Sequence, residues 1–194
     1  NRNKNFASAT NNIRIIDTLN NSYVRGHYAE VFKNKDSVFI TKRAVAITVR
    51  ENDSIYIHAD TLKITGKPDR RVLRGFYKAR FFKRGQPGEE PTSGKCDSIY
   101  VNERTGITKL LRNPILWSGE NQMTGDTIHL LRNINTDKLD TLKVYNNSFV
   151  IQKDSAGFNQ VKGERLIGLF TNNELDTINI KKKYASNFLL KKRK

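Results

Sequence analysis

One short phrase recurs along the chain and constrains its fold more than any other feature: Asp, then Ser or Thr, then apolar residues at alternate positions. Nine of the 11 Asp residues precede Ser or Thr, although Ser and Thr together supply only 25 of the 194 residues. Alternate apolar positions are typical of a strand with one buried face, and Asp followed by Ser or Thr suits the turn before it. The phrases predict seven strand starts, at Asp36, Asp53, Asp60, Asp97, Asp126, Asp140 and Asp176.

The same alternation predicts which side chains face inward. Ile, Val, Tyr, Phe and Thr fill the phrases, and all of them favour strands. The predicted inward pairs are Val38 and Ile40, Ile55 and Ile57, Leu62 and Ile64, Ile99 and Val101, Ile128 and Leu130, Leu142 and Val144, and Ile178 and Ile180. Tyr56, His58, Tyr100 and His129 fall on the opposite face. No window has a sustained helical period, so the chain is predicted to be all-β.

A larger repeat is visible in the sequences GHYAEVF at 26–32 and GFYKARF at 75–81, which suggests related β units. The phrases are separated by 7 to 37 residues, which argues against a solenoid of fixed period. The segment Arg84–Lys95 is rich in Gly and Pro and is predicted to be a long hairpin loop. We expect an extension or first strand at 1–23, one β domain at 24–180, and a basic tail at 181–194 that is either frayed or a short helix.

The net charge of +16 predicts an anionic partner, such as nucleic acid, anionic lipid head groups or a phosphorylated glycolipid. An alternative is a basic surface that serves only solubility. The apolar fraction of 37% fits thin sheets with one wet face. No apolar run approaches the roughly 20 residues of a membrane-spanning helix.

Motifs that would indicate an enzyme are missing. The sequence has no Gly-rich phosphate loop, HExxH motif or CxxC pair, and its three His residues are scattered. We therefore expect no enzymatic activity, cofactor or metal. The single cysteine, Cys96, is expected to be structural. Trp117 could stack on a base or a sugar, but we expect it to cap a hydrophobic core.

The order of the motifs resembles a known family. GHYAEVF, DSVFI and DSIYIHADTL are followed by GKCDSIYV, then PILWSGENQMTGDTIHL, then FNQVKGERLIGLF. This succession, which runs from about residue 26 to 180, is similar to the OstA-like proteins, the LptA group of lipopolysaccharide-transport proteins. The basic tail and the loop at Arg84–Lys95 depart from the family pattern.

The resemblance implies a β-jellyroll, in which two antiparallel sheets form a V-shaped, open-ended trough with an apolar lining. It also implies a periplasmic location, possibly at the outer membrane, where such modules stack end to end and carry lipopolysaccharide from the inner to the outer membrane. The implied partners are lipopolysaccharide through its lipid A, LptC-like proteins, the LptD-like N-terminal domain and further copies of the chain, with no nucleic acid.

On this interpretation the apolar stripes hold acyl chains and basic residues at the rim contact phosphates. The expected lining residues are Val38, Ile40, Ile55, Ile57, Ile99, Val101, Ile128 and Leu130, and the expected rim residues are Arg74, Lys78, Arg80 and Lys83. The chief alternative is a nucleic-acid-binding β module. Its phosphate contacts would be Lys78, Arg80, Lys83 and Arg84, with Tyr77 or Phe81 stacking on bases. A β-sandwich scaffold or adhesin is a further alternative.

Overall fold

The computed structural model describes residues 5–18, 20–49, 54–85, 90–154, 157–171, 174–181 and 187–191. These residues form sixteen strands with antiparallel pairing and a 3₁₀ turn at Lys33–Lys35. The strands are β1 (Phe6–Asp17), β2 (Ser22–Phe32), β3 (Ser37–Thr48), β4 (Ile55–Thr65), β5 (Val72–Phe76), β6 (Ala79–Lys83), β7 (Thr92–Cys96), β8 (Ser98–Asn102), β9 (Ile107–Leu111), β10 (Ile115–Ser118), β11 (Asn121–Thr124), β12 (Thr127–Arg132), β13 (Leu139–Asp154), β14 (Gly157–Thr171), β15 (Glu174–Lys181) and β16 (Asn187–Lys191). A search of the described residues for a helix with the length and apolarity of a membrane span finds none. The all-β prediction is confirmed.

The sheet bends along one line, which we call the corner, and the result is a V-shaped trough with two wings. The first wing contains 13–17, 22–25, 44–48, 55–58, β6, β7, β10, β11, 148–154 and 157–163. The second wing contains 6–10, 28–32, 37–41, 61–65, β5, β8, β9, β12, 139–145, 165–171, β15 and β16. Several strands run through both wings, so the wings are continuous.

The chain crosses the corner each time it passes from one wing to the other. Along the sequence, these crossings alternate between two kinds of backbone conformation. Every second crossing uses two successive non-Gly residues with positive φ, the first being Asn11 and Asn12. The other pairs are Lys42 and Arg43, Tyr77 and Lys78, Arg112 and Asn113, and Asn146 and Asn147. The crossings between them place a small residue at the bend, and the next strand packs against it. A Cβ added to Gly125 would lie 2.3 Å from Cγ1 of Val144, so this position admits only glycine without a shift.

The Asp phrases serve several structural purposes. Asp97 and Asp126 lie at the corner, where their N–H groups donate to carbonyl oxygens of the next crossing, Asp97 to Arg112 at 3.4 Å. Asp36 precedes β3, while the phrases at 140 and 176 lie near the starts of β13 and β15. The prediction for Asp60 is wrong, since it lies inside β4 at that strand's crossing. Asp53 lies outside the described residues.

The hydroxyl that follows Asp has a local role. Ser98 donates to the Asp97 carboxylate at 2.6 Å, and the Thr after Asp140 donates in the same way at 2.9 Å. Such bonds hold the Asp side chain beside the backbone at the beginning of a strand. The recurrence of Asp followed by Ser or Thr is therefore explained by strand starts and corner crossings.

The repeated heptads both pass the corner, but in opposite directions. The stretch 26–32 runs into the second wing along β2, whereas 75–81 runs out of it from β5 to β6. The structural repeat is the corner-crossing strand. The predicted hairpin is present, since β6 pairs with β7, but its loop is shorter than Arg84–Lys95 because residues from Thr92 onward belong to β7. The tip at 86–89 lies outside the described residues. In the described part of the tail, Asn187–Lys191 forms β16 and pairs with β15, so this segment is a strand and not the helix considered from the sequence.

The core lies between the wings beside the corner. In the second wing an inward row of fully or almost fully buried residues crosses six neighbouring strands. Its members are Ile99, Leu110, Ile128, Val144, Leu166 and Ile180. Leu116, Met123 and Val150 face them from the first wing, and each has no exposed surface. Burying such side chains is worth roughly 2 kcal/mol each, so this region stabilises the trough.

Candidate functional site

An apolar cavity of about 1160 Å³ opens between the wings at the end formed by the N-terminal strands. Its inward apolar residues are Ile15, Val24, Val31, Val38, Ala46, Ile55, Ile57, Ile64, Leu73, Phe81, Ile99, Val101, Leu130 and Leu139. The cavity exists partly because small residues lie along this part of the corner. Ala44, Ala59 and Ala79 are completely buried there, and Ala46 occupies the level at which β10 and β11 carry Leu116 and Met123.

Polar residues border the mouth of the cavity on both wings. On the first wing the inward residues farthest from the corner include Asp17, Ser22, Thr48, Lys83 and Thr92. On the second wing the strand ends and the turns beyond them bring cations to the mouth, among the carboxylates of Asp36, Asp69, Glu103 and Asp137. These cations are Lys33, Lys67, Arg70, Arg71, Arg104 and Arg132. The trough is therefore apolar inside and charged at its mouth.

One ion pair joins the two sides of the mouth. Arg71, in the turn before β5, pairs with the carboxylate of Asp17 at the end of β1, on the opposite wing. Asn20 donates to the same carboxylate at 2.8 Å, and the Arg71 backbone N–H donates to Glu103 at 3.3 Å. The Asn20 hydrogen bond, followed by Arg71, holds the pKa of Asp17 below its usual range. The pair therefore connects the wings at the edge of the cavity.

Six of the eight residues expected to line the trough do line the cavity: Val38, Ile55, Ile57, Ile99, Val101 and Leu130. Ile40 and Ile128 are inward as expected, but they have no exposed surface and pack in the core. Alternation identifies the inward face of a strand, whereas the distance between the wings decides whether that face meets a cavity or another side chain.

The residues expected at the rim are spread over the molecule. Lys83 lies at the mouth. Arg80 is exposed on the outer face of the first wing, Lys78 is exposed at the corner, and Arg74 lies on the outer face of the second wing beside Tyr100. Of the four, the structure thus brings only Lys83 to the cavity. The cations at the mouth that sequence reasoning missed, such as Arg70 and Arg104, lie in turns between strands, where basic residues are common for solubility.

Cys96 and Trp117 occupy well-defined positions. Cys96 is buried at the end of β7, its thiol contacts the carbonyl of Ser98 at 3.1 Å, and burial raises its pKa to about 11. The core-cap prediction for Trp117 is wrong, because its ring lies on the outer face of the first wing, where Nε1 donates to Gln122 at 2.9 Å. Within the described ranges no three His, Cys, Asp or Glu side chains gather in a way that could hold a metal ion.

A family model described as the LptA/LptD N-terminal domain of lipopolysaccharide-transport proteins matches residues 24–138, more than half of the chain. The chain belongs to this family. The match covers most of the strands that enclose the cavity, from β2 to β12, while Ile15 of β1 and Leu139 of β13 lie outside it. Membership in the LptA family favours lipopolysaccharide transport over the nucleic-acid alternative. A comparison with curated protein sequences finds no match.

A solved structure shares the LptA-like fold. It is LptH of Pseudomonas aeruginosa, the LptA homologous periplasmic component of the lipopolysaccharide transport device. The TM-score is 0.51 at 11% sequence identity, and the match covers 72% of this chain and 93% of LptH. At this identity the similarity concerns the fold, and it confirms the expected β-jellyroll.

Proposed function

We propose that this LptA-family protein binds lipopolysaccharide in the periplasm, with acyl chains in the trough, and passes it toward the outer membrane without a chemical step. The observation that carries the proposal is the apolar cavity with a charged mouth, where exposed cations such as Arg70 and Arg104 lie among carboxylates. Its volume of about 1160 Å³ exceeds the roughly 300–1,000 Å³ of ordinary small-molecule pockets. An acyl chain gains about 0.8 kcal/mol for each methylene group removed from water, so hydrocarbon would supply most of the affinity.

The charges at the mouth fit the other half of such a ligand. Arg70 and Arg104 are exposed at the edge of the cavity, and Lys33 lies in the turn before β3. Phosphate groups on lipid A would lie at the level of these side chains once the acyl chains had entered. Exposed charges are screened over roughly 10 Å at 0.1 M salt, so this contribution should be smaller than the apolar one and sensitive to salt.

Transfer between molecules would use the open edges of the sheet. In the described residues β1 pairs only with β2, and β16 only with β15. β1 spans 12 residues and contains no proline, so it can accept a further strand. We propose that a second copy, or the jellyroll of an LptC-like or LptD-like partner, adds to these edges. Sedimentation over a range of concentrations should then show association beyond a dimer, and a strict monomer would argue against it.

Photo-crosslinking tests the ligand assignment. A photoreactive residue at Val38, on the inward face of β3, should crosslink to purified lipopolysaccharide. The matched control is Phe39, the next residue, whose side chain faces outward. Equal yields at both positions, or no yield at Val38 in a folded variant, would refute binding in the trough. Tight, salt-dependent binding of single-stranded DNA in a parallel filter assay would instead favour the nucleic-acid alternative.

A further inference from the structure

The outer face of the first wing carries two parallel rows of side chains that cross ten strands. The row nearer the mouth, which we call the aromatic row, contains Ile16, Tyr23, Ile47, Tyr56, Phe82, Ser93, Trp117, Gln122, Ile151 and Gln160. The row nearer the corner, the cationic row, contains Arg14, Arg25, Val45, His58, Arg80, Lys95, Ile115, Thr124, Phe149 and Lys162. None of these described positions holds a carboxylate, so within the two rows every charge is positive, while Asp60, Asp97 and Asp126 lie beyond the cationic row at the corner.

The aromatic row exposes apolar surface that the described part of the chain leaves uncovered. Ile16 is 56% exposed, Phe82 41% and Tyr56 39%. The rings of Tyr56 and Phe82 are neighbours, with centroids 6.2 Å apart. Exposed apolar side chains in a contiguous group, bordered by polar ones, typically mark a surface that another body covers.

Cations lie against the rings of this face. The guanidinium groups of Arg14 and Arg25 lie 4.3 Å and 5.0 Å from the ring centroid of Tyr23. The ammonium group of Lys95 lies 5.7 Å from the Trp117 ring. These contacts hold the long side chains flat on the sheet, so rings and charges form one surface.

The order of the rows indicates the partner. Tyr and Trp favour the interface between lipid head groups and hydrocarbon, while Lys and Arg extend to the phosphates of anionic lipids. The rows are two residues apart along each strand, a separation of roughly 7 Å. If the outer face lies on the bilayer, the rings can enter the interface while the neighbouring cations reach the head groups. A soluble polyanion would use the charges but would leave the exposed Ile and Phe side chains in water.

The second wing shows that cations alone do not make this surface. Its outer face also carries a basic row, with Lys63, Arg74, Lys109 and Lys143 beside Tyr100. In the neighbouring row toward the mouth, the described aromatic residues lie at one end, where the rings of Phe6 on β1 and Phe32 on β2 are 5.0 Å apart. The other described members are Ser37, Thr65, Val72, Asn102, Ile107, Leu131, Thr141, Leu169 and Thr177. Both outer faces therefore carry cations, but in this row of the second wing the aromatic residues are confined to β1 and β2.

We propose that the outer face of the first wing docks on the surface of an anionic lipid bilayer through the aromatic row and the cationic row. The surface is on the outside of the trough, so docking leaves the cavity free. Docking through this face does not depend on which ligand the trough contains. It gives the molecule a side that contacts the membrane.

The only tryptophan of the chain provides the probe, because Trp117 lies in the aromatic row. Its emission should shift to the blue with vesicles of phosphatidylcholine and phosphatidylglycerol, and stay unchanged with phosphatidylcholine alone. Vesicle flotation should show the same preference. Replacing both Tyr56→Ser and Phe82→Ser should weaken binding by about tenfold or more. The control pair, Phe39→Ser and Tyr100→Ser on the second wing, should bind like the original chain.

Circular dichroism of each variant verifies that the sheet is retained. The proposal is overturned if anionic vesicles produce no shift, if neutral vesicles bind equally, or if both pairs of substitutions weaken binding to the same extent. Unchanged binding of the Tyr56→Ser, Phe82→Ser variant would also overturn it, since the surface would then recognise charge only. The vesicles contain no lipopolysaccharide, so this result is independent of crosslinking at Val38.

Discussion

The same substitution at two inward positions should separate ligand binding from folding. Ile57 and Ile128 lie on inward stripes of the sheet, but Ile57 is 8% exposed and lines the cavity, while Ile128 has no exposed surface. In Ile57→Glu the carboxylate can reach water through the cavity. In Ile128→Glu it would lie between Leu110 and Val144, its neighbours on adjacent strands. We therefore expect Ile57→Glu to fold and lose affinity, and Ile128→Glu to unfold.

The magnitudes follow from burial. An unpaired buried charge costs several kcal/mol, and the lost Ile adds roughly 2–3 kcal/mol, against a total stability of about 5–15 kcal/mol for a typical domain. At Ile57 the charged group would displace about three methylene groups of an acyl chain from apolar contact. At roughly 0.8 kcal/mol each the loss is about 2.4 kcal/mol, which corresponds to a dissociation constant raised about 50-fold.

Two measurements test this contrast. Urea denaturation followed by circular dichroism gives the stability of each variant, and displacement of a fluorescent lipid A gives the affinity. If Ile57→Glu binds lipid A as tightly as the original chain, the cavity is not the acyl site. If Ile128→Glu is as stable as Ile57→Glu, the distinction between a closed core and an open cavity is wrong.

Three further predictions concern the mouth, the corner and the thiol. The folded-state pKa of Asp17 is lowered, so its contribution to stability is present above the unfolded pKa and disappears as the pH falls through the folded pKa. In urea titrations, Asp17→Asn should remove this pH dependence. It should change the free energy of unfolding by about 1 kcal/mol or less, because the pair is partly exposed. Gly125→Ala should destabilise the trough by roughly 1–3 kcal/mol. Val144→Ala in the same chain should recover part of that loss, because it removes the methyl group that the new Cβ would meet. If the two free-energy changes were fully additive in a double-mutant cycle, positions 125 and 144 would not be in contact. Cys96 should resist a thiol reagent at pH 8 and react after unfolding, since burial raises its pKa to about 11; rapid labelling of the native protein would show that the thiol is accessible.

The sequence predicted the fold because its signal is local. Period-2 alternation depends on neighbouring residues, so the inward positions of Val38, Ile57 and Ile99 could be identified before any pairing was known. The order of the short motifs also indicated the family to which the chain belongs. Asp60 was misassigned because the phrase that opens a strand at Asp97 also fits a crossing in the middle of a longer strand.

The candidate site was harder to predict because it depends on distances between remote segments. Ile40 and Ile57 have the same pattern in the sequence, yet one is in the closed core and the other lines the cavity. Arg71 meets Asp17 across 54 positions of the chain, and no local pattern encodes that contact. Trp117 was assigned to the core because large aromatic residues are usually buried, whereas strand register places it outside.

The alternation at the corner has a consequence for how proteins of this type can change in length. Crossings with two positive-φ residues alternate with crossings at a small residue, so the bend is preserved only when strands are gained or lost in pairs. One pair lengthens the trough by roughly 9.6 Å, twice the spacing between neighbouring strands, and leaves its cross-section unchanged. Relatives with longer or shorter troughs should therefore differ by whole hairpins, so that the length of hydrocarbon each can shelter changes in steps while the width of the channel stays constant.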